Sequence, residues 1–278
     1  MKLREIACVI DEDIIDRVSR GETSELDKRP AFDISVVRRL RRLADVVHLV
    51  PGAEGKRTLE ELARLQPEVV FNLAFASCPL EPSFAGALEV LGLPFTGSGS
   101  SGIALANDKV RSRHLLRTAG VRVPRFAELA PRGRPKKIDF DPPFIVKPVS
   151  SGDSEGIRDD SVVDAYAQAL KRADRIWREL EMHAMCERRR LYKTSARRAS
   201  LPRRLKIKMA EMARKTAKVL DLRGYAKIDL RMDDEENITV IEANPNPGLL
   251  STNKIWGRPG FEINLRRIIN AAQRRSRE

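Results

Sequence analysis

Aromatic residues make up only 5% of this 278-residue chain, and histidine and cysteine occur three times each. Those scarcities exclude several classes of protein. Cys8, Cys78 and Cys186 are odd in number and far apart, so they build no disulfide framework. His48, His114 and His183 are equally scattered, and the spacing supports no zinc site. No apolar run approaches the roughly 20 residues that cross a bilayer. The opening stretch, Met1 to Ile10, holds two basic residues, but its apolar run is short and meets Asp11 to Asp13, so it reads as a first strand rather than a signal peptide. A cytoplasmic setting without membrane contact is the expectation.

What the chain has in excess is positive charge, a formal +13. Eighteen Lys and Arg against six Asp and Glu fall between residues 170 and 223, so nearly all the excess lies in one fifth of the length. The runs Arg188 to Arg190, Arg197–Arg198 and Arg203–Arg204 lie there, but the aromatic residues beside them are only Trp177 and Tyr192. That is too few for a base-stacking platform, and what remains is a nonspecific phosphate-binding surface. Nucleic acid is therefore not the favoured partner. At 42% hydrophobic, the chain is long enough for two or three subdomains with cores of their own.

Strand and helix patterns alternate at the start: strands over Leu3–Ile10, Val46–Val50 and Val69–Leu73, helices over Asp33–Ala44, Thr58–Leu65 and Ser83–Leu91. Alternation of this kind builds a parallel sheet covered by helices. The glycine- and serine-rich stretch Leu93 to Gly102 is a loop and takes the first boundary. A helix capped by Asn107 or Asp108 then runs to Gly120, and Pro143–Val149 is an apolar strand with Lys147 in its middle. A helix with a Ser161/Asp164 capping pattern extends to about Trp177, and Ser200–Pro202 opens another in which Leu205, Met209, Met212, Thr216 and Val219 form the apolar face. Residues 179–199 show no period of either kind.

The end of the chain carries the most chemistry. Lys227–Met232 and Ile238–Asn244 alternate at period two around the polar Asp233–Asn237, a hairpin. With the turn centred between Glu235 and Glu236, Asp229 stands across from Glu242 and Lys227 across from Asn244. Facing carboxylates repel unless a cation lies between them, and two carboxylates with an amide oxygen are the hard ligands magnesium prefers. The bland alternative is an exposed hairpin with solvated charges. Asn244 to Gly248, rigid and glycine-terminated, favours a built site. Upstream, Lys109 opposes the dipole of its helix, Lys147 escapes to an edge or meets an anion, and Ser150 to Gly156 is a turn of the kind that cradles phosphate.

Taken in order, Val70–Asn72, Leu93–Ser98, Asp108–Lys109, Gly120–Pro124, Ile145–Pro148, Ser150–Ile157, Gly224–Asp229 and Glu242–Gly248 resemble an ATP-grasp enzyme of the D-alanine:D-alanine ligase type. The resemblance implies an α/β fold, an N-terminal parallel-sheet domain followed by a possibly shortened two-subdomain ATP-grasp fold. The implied boundaries are 1–97, 98–180 for a small subdomain and 181–278 for a C-terminal subdomain with the metal hairpin. It implies that ATP phosphorylates a small-molecule carboxylate and that an amine attacks the acyl phosphate. Lys109, Lys147, Ser150, Ser151, Ser154 and Gly156 then hold ATP, and Asp229, Glu242 and Asn244 hold two Mg2+ ions. Lys227, Gly248 and Ser251 serve the acyl transfer. The family has an arginine where Lys227 stands, its N-terminal glycine-rich substrate motif is not recognisable in Asp11 to Glu25, and the hinge that grips adenine has no strand-like counterpart, with Glu187 and Lys193 the nearest remnants. Real divergence or a changed reading frame over residues 178–200 both fit that gap. A degenerate ATP-grasp module, a basic nucleic-acid binder through 170–223 and a homodimeric assembly stay open.

Overall fold

A computed structural model of the chain describes residues 2–21, 29–52, 55–74, 80–129, 138–150, 158–188 and 201–275. The elements run β1 (Leu3–Ile10), α1 (Glu12–Ser19), α2 (Arg29–Leu43), β2 (Ala44–Pro51), α3 (Gly55–Leu65), β3 (Val69–Asn72), α4 (Glu81–Val90) and α5 (Ser100–Asn107). There follow α6 (Lys109–Thr118), β4 (Phe126–Leu129), β5 (Phe144–Pro148), β6 (Val162–Val163), α7 (Tyr166–Leu180), β7 (Ala184–Arg188), α8 (Arg203–Val219), β8 (Lys227–Met232), β9 (Ile238–Asn244) and α9 (Leu249–Arg275). Two compact units result: Met1–Ile103 with Leu222–Lys227 and Pro245–Glu278, and Ala104–Asp221 with Ile228–Asn244. These units and the boundaries expected at 97/98 and 180/181 do not coincide, because the chain passes between them more than once near its end.

The first unit is built on a parallel sheet of order β2-β1-β3. Ile6 to Ile10 are all at most 1% exposed, as a central strand covered on both faces must be. Period two then sorts its side chains. Ile6, Cys8 and Ile10 join Phe71, the apolar side of α2, and Phe261, Leu265 and Ile268 of α9. Ala7 and Val9 join Val70, Leu62 of α3, Phe84 and Leu88 of α4, and Phe95. Helix α9 was not legible in the chain's pattern, yet it supplies a good part of one sheet face.

In the second unit the sheet is antiparallel, of order β4-β7-β5-β6. Strand β7 corrects the expectation that 179–199 holds no strand. It lies between β4 and β5, so the sheet is not opened there by a missing strand. Its residues Ala184, Met185, Cys186 and Glu187 are buried but poor in β-branched side chains, which is why propensity gave no signal. Helix α7 packs on one face of the sheet through Ala169, Ala173 and Ile176. It starts at Tyr166 rather than at Ser161: the Ser161 hydroxyl instead accepts from the Arg158 N–H at 2.8 Å in a short 3-10 turn, and the Asp164 N–H donates to Gln168 Oε1 at 3.1 Å. In α8, Leu205 and Thr216 are buried and the two methionines half-buried, as the apolar spacing predicts.

Candidate active site

Helix α6 begins where the chain needs a polar start. The Asp108 side chain caps it by accepting from the Arg111 N–H at 2.8 Å, and the next residue, Lys109, bonds the Val149 carbonyl through its own N–H at 3.0 Å. That backbone bond ties the helix start to the end of β5, so Lys109 and Lys147 project from neighbouring points of one unit. Both are 7% exposed.

Buried lysines need anions, and each has one. Lys147 stands on the internal strand β5, and its Nζ lies 2.7 Å from Glu187 Oε2 on β7. Register explains the meeting: Lys147 pairs with Met185, which puts Glu187 diagonally across on the same face. The other oxygen, Oε1, accepts from Arg113 Nε at 2.9 Å. Burial works to raise the Glu187 pKa, but the Lys147 and Arg113 charges and their hydrogen bonds outweigh it and hold the carboxyl below its usual range. Lys109 Nζ lies 3.8 Å from Glu242 Oε1, and its pKa is pushed down to about 8 by burial first, with Lys147 and Arg113 adding to the fall and Glu242 opposing it. Three cations therefore share these two carboxylates.

The hairpin carries the candidate metal ligands, and its turn differs from expectation. The Asp233 N–H donates to the Asn237 carbonyl at 3.2 Å and the Glu236 N–H to the Asp233 carbonyl at 3.0 Å, with Glu236 at φ 59°. The turn thus centres on Glu235, and its register alone puts Ile228 across from Glu242 rather than Asp229. A left-handed residue closing a tight turn supplies the half-step, which no apolar period records. Along β9 the buried positions run Ile238, Val240 and then Ala243, so the alternation slips by one residue at Ile241–Glu242. Asp229 and Asn244 are half-buried, and the Glu242 side chain is about half exposed, at 48%.

Other expected residues are placed less fully. Ser150 is exposed directly after β5; Ser151, Ser154, Gly156 and Lys193 lie outside the described residues. Lys227 begins β8, Gly248 is exposed just before α9, and Ser251 lies on the backbone of that helix's first turn. Arg113 was missed as a member of the site, and Glu187, named only as a remnant of the hinge, was missed as the partner of Lys147. A basic residue four positions after Lys109, on the same helix face, is the signal that could have found the first. Among the described residues no three His, Cys, Asp or Glu gather closely enough to hold a metal; the expected set has only two such groups, with an amide as third.

In the first unit the loop between α4 and α5 is pinned by the segment that follows β9. Ser98, fully buried, donates to the Pro245 carbonyl at 3.1 Å and accepts from the Arg223 N–H at 3.1 Å. Gly97 at φ 92° lets Asn246 approach so closely that a Cβ would sit 3.3 Å from its Oδ1, and that oxygen accepts from the Tyr225 hydroxyl at 2.6 Å. The Asn-Pro-Asn-Pro-Gly run is thus partly a packing device, with Asn246 facing inward at 3% exposure.

The chain combines a parallel α/β unit with an antiparallel unit whose inner strand carries a paired lysine, and a carboxylate hairpin. Its fold matches the crystal structure of a D-alanine–D-alanine ligase from Bacillus anthracis complexed with ATP, with a TM-score of 0.75 over 99% of this chain and 98% of that one at 17% identity. The D-alanine–D-alanine ligase structure from Coxiella burnetii matches with a TM-score of 0.69 over 99% and 95% at 15% identity. The family profile for the D-ala D-ala ligase C-terminus matches residues 191–263. The D-alanine–D-alanine ligase of Bordetella petrii is 28% identical over 236 residues, 71% of this chain and 72% of that protein. That of Azorhizobium caulinodans is 26% identical over 254 residues, 77% and 83%. The chain is thus similar in fold, and over most of its sequence, to D-alanine–D-alanine ligases.

Proposed function

We propose that the chain is an ATP- and Mg2+-dependent carboxylate–amine ligase that forms an amide bond through an acyl phosphate. The observation that carries this reading is the cluster of Lys109, Lys147 and Arg113 around Glu187 and Glu242. A polyphosphate is the ligand such a cluster fits: buried ammonium groups gain from phosphate oxygens what they lose by leaving water. Lys109 and Lys147 hold the phosphates, and Ser150, Ser151, Ser154 and Gly156 offer hydroxyls and backbone N–H groups to them. The donor chemistry of Asp229, Glu242 and Asn244 suits Mg2+. Bound Mg2+ supplies neutralisation of the charge on the transferred phosphoryl group. Lys227 contributes a point charge at the acyl centre, and Gly248 and Ser251 serve the substrate carboxylate.

The names of its relatives make small amino acids, D-alanine among them, the first substrates to test. Saturable Mg-ATP binding by calorimetry is expected, followed by ADP release that depends on an amino acid from a panel of D and L forms. Glu242→Gln is expected to lower that release by a factor of roughly 100 or more, since a lost metal ligand removes transition-state stabilisation. Absence of any saturable nucleotide binding would refute the reading.

A further inference from the structure

We propose that Arg113 is a positioning residue for the site, one guanidinium that sets both the carboxylate orienting Lys147 and the strand carrying Glu242; this rests on the nucleotide and metal roles given above. Arg113 is 2% exposed, so it lies behind the surface that a ligand meets. It follows Lys109 by four residues and shares its face of α6. Its Nε bonds Glu187 Oε1 at 2.9 Å, and the other oxygen of that carboxylate holds Lys147. A terminal nitrogen of the same guanidinium donates to the Ile241 carbonyl.

Ile241 is where the alternation of β9 slips, and it directly precedes Glu242. The Ile241 carbonyl, one residue before Glu242, accepts a donor from another element, and that bond fixes the backbone on which the Glu242 side chain stands. The rigid planar fork makes this double task possible. It sends donors in two fixed directions at once, to a carboxylate on β7 and a carbonyl on β9. The single ammonium of a lysine at this position reaches one of them. Losing the bond to Glu187 disturbs the phosphate lysine, and losing the bond to Ile241 disturbs the direction of the metal carboxylate.

The test compares Arg113→Lys and Arg113→Ala with the parent chain by Mg-ATP calorimetry across a range of Mg2+ concentrations, with circular dichroism reporting the fold. Arg113→Lys keeps a cation beside Glu187, so its affinity at saturating Mg2+ is expected to stay close to the parent's. The Mg2+ concentration for half-maximal binding is expected to rise about tenfold or more, as when a partner behind a metal ligand is lost. In Arg113→Ala the affinity falls and the Mg2+ concentration for half-maximal binding rises, and millimolar guanidinium, which fits the vacated space, restores part of both. Should the alanine variant fail to fold, the lysine variant carries the test alone. A folded Arg113→Lys protein with the parent's Mg2+ dependence overturns the inference while leaving the ligase reading intact. A parent chain without saturable Mg-ATP binding overturns both.

Discussion

A lysine in the middle of an apolar strand is tolerated only where a counter-charge offsets its desolvation, and Glu187 does so at 2.7 Å. The carboxylate is itself 4% exposed and shared with Arg113, so each of the three groups depends on the other two. Glu187→Gln leaves two buried cations without their anion and is expected to destabilise the protein by about 3–5 kcal/mol at pH 7, measured by urea unfolding. The pH dependence follows from the direction of the shift. The folded-state pKa lies below the ordinary 4.5, so the stabilisation is complete above that value and is lost as pH falls through the folded pKa. The parent is expected to lose stability with acid along this limb, and Glu187→Gln to lose its share of that dependence. Lys147 could be read from the sequence as a residue in need of an anion. Its partner could not, because Glu187 lies forty positions away in a strand without β propensity.

Elements in this protein are set by their ends. Asp108 both caps α6 and places Lys109 against the Val149 carbonyl. Asp108→Ala is expected to cost about 1 kcal/mol in urea unfolding, and Asp108→Asn, which keeps an acceptor, little. The loop between α4 and α5 makes a sharper demand. Gly224 adopts φ 67°, and a Cβ there would meet the Gly97 carbonyl oxygen at 3.1 Å, a backbone atom without freedom to retreat. At Gly97 the neighbour is the Asn246 side chain at 3.3 Å. Gly224→Ala is therefore expected to destabilise by about 1–3 kcal/mol and by more than Gly97→Ala, as thermal midpoints will show. Most elements were legible because their apolar periods are strong: β1, α3 and α8 appear close to where the pattern puts them. β7 and α9 were not, since neither a short run of Ala, Met and Cys nor a long helix interrupted by Gly and Pro announces itself locally.

At the scale of the whole molecule, charge is the property most easily misread. The excess of +13 is concentrated between residues 170 and 223, and part of it is already engaged: Arg172 and Arg175 lie against Asp160, and Arg204 and Lys208 meet Glu236. What remains on α8 is a solvated basic face that attracts any polyanion at low ionic strength. Association with duplex DNA is expected at about 50 mM salt and to be largely lost by about 200 mM, with Mg-ATP binding much less affected, as parallel titrations would show. Among the described residues no helix is long and apolar enough to cross a membrane.

The sequence by itself determined the parallel first sheet, the lysines that must find anions, the carboxylate hairpin and, through ordered short motifs, the ATP-grasp resemblance. All of these are local properties: period, charge on an apolar background, and residues a few positions apart. Tertiary structure alone decided that Glu187 and Arg113 complete the cluster, that β7 fills the centre of the second sheet, that the hairpin turns on Glu235, and that α9 returns to cover the first sheet. Each depends on which strand lies beside which and on how one backbone bond shifts a register, and neither is encoded in the spacing of residues along one segment.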